Sequence, residues 1–329
     1  MQIQNIVDDT QFPSINSAYN CTFQVNRLSI GLVVPLESYA MDPVPSMTDH
    51  IERVQLAEAL GFSAIWLRDV PFNVPGFGDA GQIFDPFVYL GLLAAKTERI
   101  ALGVASIVLP LRHPAHVAKS AASIDVLSGG RLILGVASGD RPEEYPAMNM
   151  TFEDRGERFR ESFEYITRMS ENAPVFENRY GNPNVGDLSG GMDMLPKPAA
   201  GKIPMLITGG SQQDPEWIAR NGDGWITYPR GIEAQQKIIN GWRRRVFETG
   251  GPLKPAVQSL YIDLLEDNNA PMQPVHLGFR CGVNHLRRYL KSLQETGINH
   301  VALNLRLNRL DIETTLKRLA DDLLPDFAE

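Results

Sequence analysis

The fold is decided by residues 97–140, which read TERIALGVASIVLPLRHPAHVAKSAASIDVLSGGRLILGVASGD. This stretch contains two nearly continuous apolar runs, at 100–109 and 132–137, and an alanine-rich segment between them at 114–127. Apolar runs without alternation are typical of parallel strands that are covered on both faces. The segment between them has helical character and ends in Ser-Gly-Gly. The stretch therefore predicts a strand–helix–strand unit of a parallel sheet.

Strand and helix signals alternate along the rest of the chain. Further strands are predicted at 28–34, 64–67, 203–208, 225–228, 256–264 and 300–305. Helices are predicted at 46–60, 85–96, 215–221, 232–248, 283–295 and 312–323, and a long helix is predicted to begin at residue 151. Eight strand–helix pairs predict a closed parallel (β/α)8 TIM barrel, and no GxGxxG follows the first strand to indicate a Rossmann domain.

Two segments lie outside this alternating pattern. Residues 1–27 are predicted as an N-terminal extension that either packs on the barrel or reaches a partner subunit, and residues 28–329 as a single barrel domain. Residues 172–203 are rich in Gly, Pro and Asn and have no clear period, which predicts a functional insertion loop. We expect this loop to close over the active site and exclude water.

The composition favours one large domain and argues against several classes of function. The chain is 43% hydrophobic with a net charge of −8, and it has no dense run of Lys and Arg, so nucleic-acid binding is not expected. It has neither an apolar stretch of about 18 residues nor a basic and then apolar N-terminus, so we expect no membrane span and no signal peptide. Cys21 and Cys281 lie far apart and lack metal or disulfide spacing, which favours the cytoplasm.

Small residues lie at the ends of both strands in the deciding stretch, Ala105-Ser106 and Ala137-Ser138-Gly139. Small side chains at the carboxyl ends of parallel strands leave room for a flat ligand. The order strand, LPLRHP, helix, LSGGR and LGVASGD resembles that of the bacterial luciferase-like, flavin-dependent oxidoreductases, and the similarity covers about residues 28–324. The resemblance implies a barrel that binds FMN or the related deazaflavin coenzyme and couples it to oxygen or to hydride transfer.

The first strand end is expected to contact the flavin ring. In the family that this chain resembles, the position matching Ala105-Ser106 often has a non-prolyl cis peptide against the ring. The alternative is that these small residues only allow a strand end to pack closely.

The second strand end, Ala137, Ser138 and Gly139, is expected to lie near the cofactor phosphate. Luciferases have an arginine at the position matching Ser138, which binds the phosphate. Arg141 is the candidate substitute for that charge, and the alternative is a surface arginine paired with Glu143 or Glu144.

A second phosphate contact is predicted after the fifth strand. The resemblance covers Gly210, Ser211 and Gln212, and with Gly209 they form a glycine-rich loop in front of a helix. Glycines let backbone N–H groups converge on an anion. An ordinary turn is the alternative. Asp214 is expected to cap the following helix rather than to point at the phosphate.

The end of the second strand departs from the family pattern. Luciferases have Glu-His-His there, and the first histidine assists the oxygen chemistry. This chain has Asp69 at the acidic position and Val70 in place of the histidine, so luciferase activity itself is not expected. Asp69 is predicted as a catalytic residue that holds a ring nitrogen or binds substrate, or else pairs with Arg68 or Arg112. Arg68 is predicted to stabilise a reduced, anionic ring.

Tyr228 and Arg230 follow the sixth strand and are predicted to bind substrate, with loop packing as the alternative. The six histidines show no metal-ligand spacing with a carboxylate on barrel strands, so no metal site is predicted. His113, before Pro114, is expected to cap a helix, and His50 and His300 are expected to be structural.

These features predict a monooxygenase that uses reduced FMN and O2 on a small organic substrate. A flavin reductase or a nicotinamide donor would supply the reduced cofactor, and the family suggests a homodimer. Three alternatives remain: a deazaflavin-dependent enzyme that transfers a hydride, a non-catalytic flavin-binding barrel, and a phosphate-binding barrel enzyme unrelated to flavin.

Overall fold

The computed structural model describes residues 11–77, 80–188 and 191–327. Its strands are β1 (Ser29–Val33), β2 (Ala64–Leu67), β3 (Ala101–Val108), β4 (Leu132–Ala137), β5 (Met205–Thr208), β6 (Gly224–Thr227), β7 (Ala256–Leu264), β8 (Gln273–Val275), β9 (Gly278–Cys281) and β10 (His300–Asn304). Its helices are α1 (Ser17–Thr22), α2 (His50–Ala59), α3 (Pro86–Lys96), α4 (Pro114–Leu127), α5 (Glu144–Ala147), α6 (Arg155–Arg168), α7 (Pro215–Asn221), α8 (Ile232–Glu248), α9 (Val283–Glu295) and α10 (Ile312–Asp322).

The eight predicted strands form a closed parallel barrel. Strands β1 to β7 pair in chain order, and β10 pairs in parallel with both β7 and β1, which closes the sheet. Helices connect the strands on the outside, so the predicted (β/α)8 fold is confirmed. All carboxyl ends of the barrel strands therefore lie at one rim.

One hairpin was not expected from the sequence. Strands β8 and β9 pair antiparallel, and β9 adds in parallel to the end of β7, from Tyr261 opposite Gly278 to Leu264 opposite Cys281. A Cβ atom on Gly278 would lie 1.8 Å from the carbonyl oxygen of Tyr261, so the close approach needs glycine. The hairpin carries His276 and Leu277 at its turn, above the carboxyl ends of the strands.

Two predicted helix starts are wrong by four residues. Helix α2 begins at His50 rather than Ser46, because Met47 and Asp49 have left-handed φ values of 57° and 53° that cannot continue a helix. The Ser46 hydroxyl bonds to Thr48 instead of capping the helix. The long helix α6 begins at Arg155, four residues after Thr151.

The barrel interior is filled at its amino end. Its apolar contributors come from every barrel strand: Val33, Ala64, Trp66, Ala101, Ile133, Leu206, Ile226, Val257 and Ala302. Tyr19 and Phe23, in and after α1, complete this cluster from below, and the Tyr19 hydroxyl donates to the carbonyl oxygen of Asp223 at 2.9 Å. Residues 17–23 thus pack on the barrel, and a cavity can open only at the carboxyl ends.

The 172–203 segment lies on the outside of the barrel. Its backbone is bonded to α4, where Ala199 N–H donates to Asp125 at 2.8 Å, and Lys197 reaches the carbonyl oxygen of Met169 after α6 at 3.0 Å. None of its described residues lines the cavity presented below. In this structure the described part of the segment therefore does not cover the cavity, and its closure over the site stays a prediction.

Arg131, in the LSGGR stretch before β4, holds together the end of α3, the chain before β3 and the end of α4. Its buried guanidinium donates five hydrogen bonds, to the carbonyl oxygens of Ala94, Thr97, Ile100 and Ser128 and to the Thr97 hydroxyl. These acceptors lie at the end of α3, before β3 and after α4. One side chain therefore fixes both helices against the start of β3.

We expect Arg131→Ala to lower the free energy of unfolding by about 3 kcal/mol or more, because it leaves several buried carbonyl groups without a donor. Chemical denaturation followed by circular dichroism measures this. Arg99→Ala is the matched control, since that side chain is 70% exposed and its recorded ion pair is a long 3.9 Å contact with Glu98. Equal losses in the two variants would contradict the assignment.

Candidate active site

A cavity of about 750 Å³ opens at the carboxyl ends of the barrel strands. It brings together nearly all of the predicted site residues: Arg68, Asp69, Ala105, Ser106, Ala137, Ser138, Gly139, Arg141, Gly209, Gly210, Ser211, Gln212 and Tyr228. Ala105, Ser138 and Gly210, from three different strand ends, therefore face one shared space. Their roles there remain predictions.

The end of β3 has the expected backbone. The Ala105–Ser106 peptide bond is cis, and the pairing of β3 with β4 shifts register between Val104 and Ile107. Both small residues are half-buried. The Ser106 hydroxyl is hydrogen-bonded to that of Thr208 at the end of β5, so two strand ends are connected directly beneath the cavity.

The end of β4 turns sharply at Gly139. Its φ is 77°, and a Cβ atom there would lie 2.7 Å from Val108 Cγ1 and 2.9 Å from the Tyr145 hydroxyl oxygen, so glycine is required. That hydroxyl donates to the Ser138 carbonyl oxygen. The turn is thus held by Tyr145 from below, and the chain continues directly into α5.

The loop after β5 has the features of an anion site. Gly209, Ser211 and Gln212 have positive φ values of 57°, 42° and 58°. Within the described residues, the backbone N–H groups of Gly210, Ser211 and Gln212 donate no hydrogen bond. Free N–H groups in a short loop are the donors that phosphate oxygens need. The Ser211 hydroxyl donates to the Thr208 carbonyl oxygen at 2.7 Å, so it can only accept from a ligand.

Asp214 lies just beyond this loop and does not oppose an anion there. Its carboxylate accepts from the Trp217 N–H at 2.8 Å, which confirms the predicted cap of α7. Arg160 of α6 donates to the Gln213 side chain at 2.8 Å and lies 3.7 Å from Asp214, so a positive charge flanks the loop.

Asp69 is held in an ion pair, one of the alternatives that the sequence left open. Its carboxylate is 2% exposed and accepts from Arg112 Nε at 2.8 Å, from Arg112 Nη2 at 2.6 Å and from the Val108 N–H at 3.1 Å. Arg112 also donates to Asp85, which caps α3. Burial would lower the pKa of Arg112, but the hydrogen bonds and charges of Asp69 and Asp85 outweigh this and raise it. Asp69 therefore fixes the β2 end to β3 and α3.

Arg68 comes directly before Asp69 in the sequence, and it lines the cavity. Its side chain is half-buried. Its backbone is clamped by the buried side chain of Gln82, which accepts from the Arg68 N–H at 2.9 Å and donates to its carbonyl oxygen. Burial raises the pKa of the Tyr228 phenol and the Asp140 carboxylate raises it further, while the cations of Arg68 and Arg230 lower it.

Arg141 is buried, contrary to the alternative of a surface arginine, but its partner is the Glu144 that the sequence proposed. Arg141 Nη1 lies 3.7 Å from Glu144 Oε1, and the guanidinium stacks 4.8 Å from the Phe77 ring centre. These contacts direct Arg141 toward the segment after β2. Arg141 lines the same cavity as the loop at Gly209–Gln212, and its role as a phosphate anchor stays a prediction.

The two residues predicted to bind substrate have different positions. Tyr228 lines the cavity and is 45% exposed. Arg230 is exposed and does not belong to the described lining. Its Nη1 donates to the Thr227 hydroxyl and to the Tyr228 carbonyl oxygen at 2.9 and 2.8 Å. Loop packing therefore accounts for Arg230.

The histidines agree with their predicted structural roles. His113 Nδ1 accepts from the Ala115 N–H at the start of α4. His300 lies inside the barrel between Trp66 and Ser29, and burial lowers its pKa to about 3. No group of three or more His, Cys, Asp or Glu side chains in the described residues could hold a metal ion. No helix in the described ranges combines the length and apolarity needed to cross a bilayer.

Sequence reasoning missed two contributors to the site. Glu144 was considered only as a surface partner of Arg141, yet it is buried and lines the cavity. The available signal was its place in the short PEEY stretch directly after β4. The other contributor is the β8–β9 hairpin with His276. Its signal in the sequence was Gly278 and the alternating residues around Phe279.

A closed barrel with a cavity at its carboxyl rim, lined by residues that follow several strands, defines the class of (β/α)8 barrel proteins whose binding sites lie at the carboxyl ends of the strands. The chain belongs to the luciferase-like monooxygenase family, whose family model matches residues 28–273.

Two relatives are similar to more than half of the chain. An uncharacterized protein of Mycobacterium tuberculosis is 30% identical over 201 residues, which is 56% of this chain and 69% of that protein. An F420-dependent glucose-6-phosphate dehydrogenase of Kineococcus radiotolerans is 29% identical over 59% of this chain and 57% of its own length.

Three solved structures share the fold. A monooxygenase from Streptomyces bottropensis has a TM-score of 0.74 at 20% identity and covers 91% of this chain and all of its own. An F420-dependent secondary alcohol dehydrogenase has a TM-score of 0.73 at 16% identity, with 92% and 100% covered. The oxygenating constituent of 3,6-diketocamphane monooxygenase from Pseudomonas putida, in complex with FMN, has a TM-score of 0.70 at 14% identity, with 92% and 99% covered.

We expect Arg112→Ala to destabilise the protein by about 3 kcal/mol, because Asp69 would be left as an unpaired buried charge. Chemical denaturation of the variant measures this loss. The double variant Arg112→Ala with Asp69→Asn is the control and should recover part of the stability; no recovery would contradict the pairing.

Proposed function

We propose that this protein is a flavin-dependent oxidoreductase, a monooxygenase that uses reduced FMN and O2 on a small organic substrate. The observation that carries the proposal is the cavity that extends from the small strand end at Ala105-Ser106 to the unbonded N–H groups at Gly210, Ser211 and Gln212. Such a space suits a flat ring at one part and a phosphate at another. When bound, FMN supplies the electron transfer and the oxygen chemistry that side chains cannot.

Backbone groups and side chains of the protein would then have distinct roles. The loop N–H groups bind the phosphate, and Ala105, Ser106 and Ser138 bound the space for the ring. Arg68 places a positive charge in the cavity, which favours a reduced, anionic ring. Asp69 acts as a positioning residue, because its carboxylate is already taken by Arg112 and the Val108 N–H.

A deazaflavin coenzyme with hydride transfer is the second candidate. The F420-dependent relative and the F420-dependent dehydrogenase structure favour it. Val70, where luciferases have the histidine that assists oxygen chemistry, favours it as well. The cavity residues suit a phosphate-bearing tricyclic ring in either case.

We further propose that the protein acts as a homodimer in the cytoplasm, and that a separate reductase or a nicotinamide donor supplies its reduced cofactor. Two free cysteines, Cys21 and Cys281, are compatible with a reducing compartment.

The phosphate assignment is tested with Gly210→Asp. No atom lies within 4 Å of a Cβ added at Gly210, so the variant fits but brings a negative charge to the loop. We expect its FMN dissociation constant to rise about tenfold, and riboflavin, which lacks the phosphate, to bind as before. Isothermal titration measures both ligands.

Gly210→Asn is the matched control for this experiment, because it has nearly the same size without the charge. It should bind FMN as the unchanged protein does. If Gly210→Asp weakens FMN and riboflavin equally, the loop does not bind the phosphate.

The choice of cofactor is tested by supplying reduced FMN and reduced deazaflavin separately. A monooxygenase consumes O2 in proportion to substrate oxidised with reduced FMN. A hydride-transfer enzyme instead oxidises the reduced deazaflavin under nitrogen by passing its hydride to the substrate, which is reduced. An oxygen electrode and cofactor absorbance follow the two reactions. Tight binding of either cofactor without turnover across a broad substrate panel would instead indicate a non-catalytic barrel.

A further inference from the structure

Glu144 is a buried acid that the proposed function does not yet use. It lies at the start of α5, directly after the turn at the end of β4, and its side chain is 3% exposed and lines the cavity. Its Oε1 atom has no hydrogen-bond partner in the described part of the chain. An ionised carboxylate in such a place is costly, because burial removes the water that would bond to Oε1 and no donor among the described residues replaces it there.

Arg141 faces this carboxyl group in an incomplete pair. The 3.7 Å between Arg141 Nη1 and Glu144 Oε1 permits attraction but exceeds a hydrogen bond, and Nη1 is likewise buried without a partner. The stacking of the guanidinium on Phe77 keeps it in place. Asp69 differs, because Arg112 and the Val108 N–H donate hydrogen bonds to both of its oxygens. The Arg141–Glu144 pair therefore keeps hydrogen-bonding capacity that the Asp69–Arg112 pair has used.

Charges from several elements act on Glu144. Burial raises its pKa, the Arg141 cation lowers it, and the carboxylates of Asp69 after β2 and Asp140 after β4 raise it further; the Phe72 N–H favours the charged form. The neighbouring phenol of Tyr145 is neutral, because burial raises its pKa. The resulting pKa of Glu144 is about 7, so the acid and its conjugate base are both populated near neutral pH.

We propose that Glu144 is the acid–base residue of this site, and that Arg141 stabilises its carboxylate. In the forward step the Glu144 O–H bond breaks, a bond forms between that proton and a basic oxygen or nitrogen of the substrate, and the electron pair stays on Glu144. Arg141 then faces a full negative charge at 3.7 Å. Solvent returns the proton. The substrate class is a small molecule with a carbonyl, hydroxyl or amine at its reacting end, and this identity rests on the proposed function.

The first experiment needs no cofactor. The protein is labelled with 13C at the glutamate side-chain carboxyl, and its resonances are followed by NMR from roughly pH 5 to 9. We expect one resonance with a midpoint near 7 that is absent in Glu144→Gln and present in Glu143→Gln, the exposed neighbour. Arg141→Ala should raise the midpoint, because the cation that favours the carboxylate is lost. A Glu144 midpoint near the ordinary glutamate value overturns the proposal.

The second experiment tests catalysis with the holoenzyme. Glu144→Gln should lower kcat about 100-fold with little change in KM, and it should remove the fall of kcat/KM above neutral pH. Glu143→Gln should leave both unchanged. If Glu144 titrates near 7 but Glu144→Gln keeps the activity and pH profile, the acid–base role is wrong while the flavin function stands.

Glu144→Asp keeps a carboxylic acid in a shorter side chain and should retain part of the pH dependence. It therefore separates the effect of removing the acid from a failure of Glu144→Gln to fold. Failure of the unchanged protein to bind either cofactor would overturn the proposed function alone, since the NMR titration is read without cofactor.

Discussion

Closure of the parallel sheet by β10 is the constraint on which the rest of the structure depends. Because β10 pairs with β7 on one side and β1 on the other, no barrel strand is left with an open edge. Closure brings all eight carboxyl ends to one rim, while Trp66 and its apolar neighbours fill the interior below. Polar groups that follow several different strands therefore meet at that rim.

Within that rim, two arginine–carboxylate pairs show how burial separates structural from reactive groups. Asp69 and Arg112 are joined by two hydrogen bonds, and a third donor completes the carboxylate. The side chains of Arg141 and Glu144 are 9% and 3% exposed, yet each retains an atom without a partner. In the Asp69–Arg112 pair the hydrogen bonds stabilise both charges, and the pair connects the ends of β2 and β3. The second retains hydrogen-bonding capacity that a ligand can use.

Much of the fold and part of the site could be predicted from the sequence. The eight strands were found because buried parallel strands are continuous apolar runs, and Gly139 and the Gly209–Gln212 loop were found because small residues follow them. The burial of Arg141 was not predicted, since nothing local shows that Phe77 covers it. The β8–β9 hairpin was missed because its strands are short and one of them pairs with the distant end of β7.

The sequence by itself determined the order of strands and helices and the family resemblance, because hydrophobic period and small-residue positions are local properties of the chain. Only the tertiary structure decided which charges meet. Asp69 pairs with Arg112, which is 43 residues away in the sequence, although Arg68 is its immediate neighbour. The choice between partners depends on distance and on exclusion of water in the folded barrel, and neither exists until β2, β3 and β4 lie side by side.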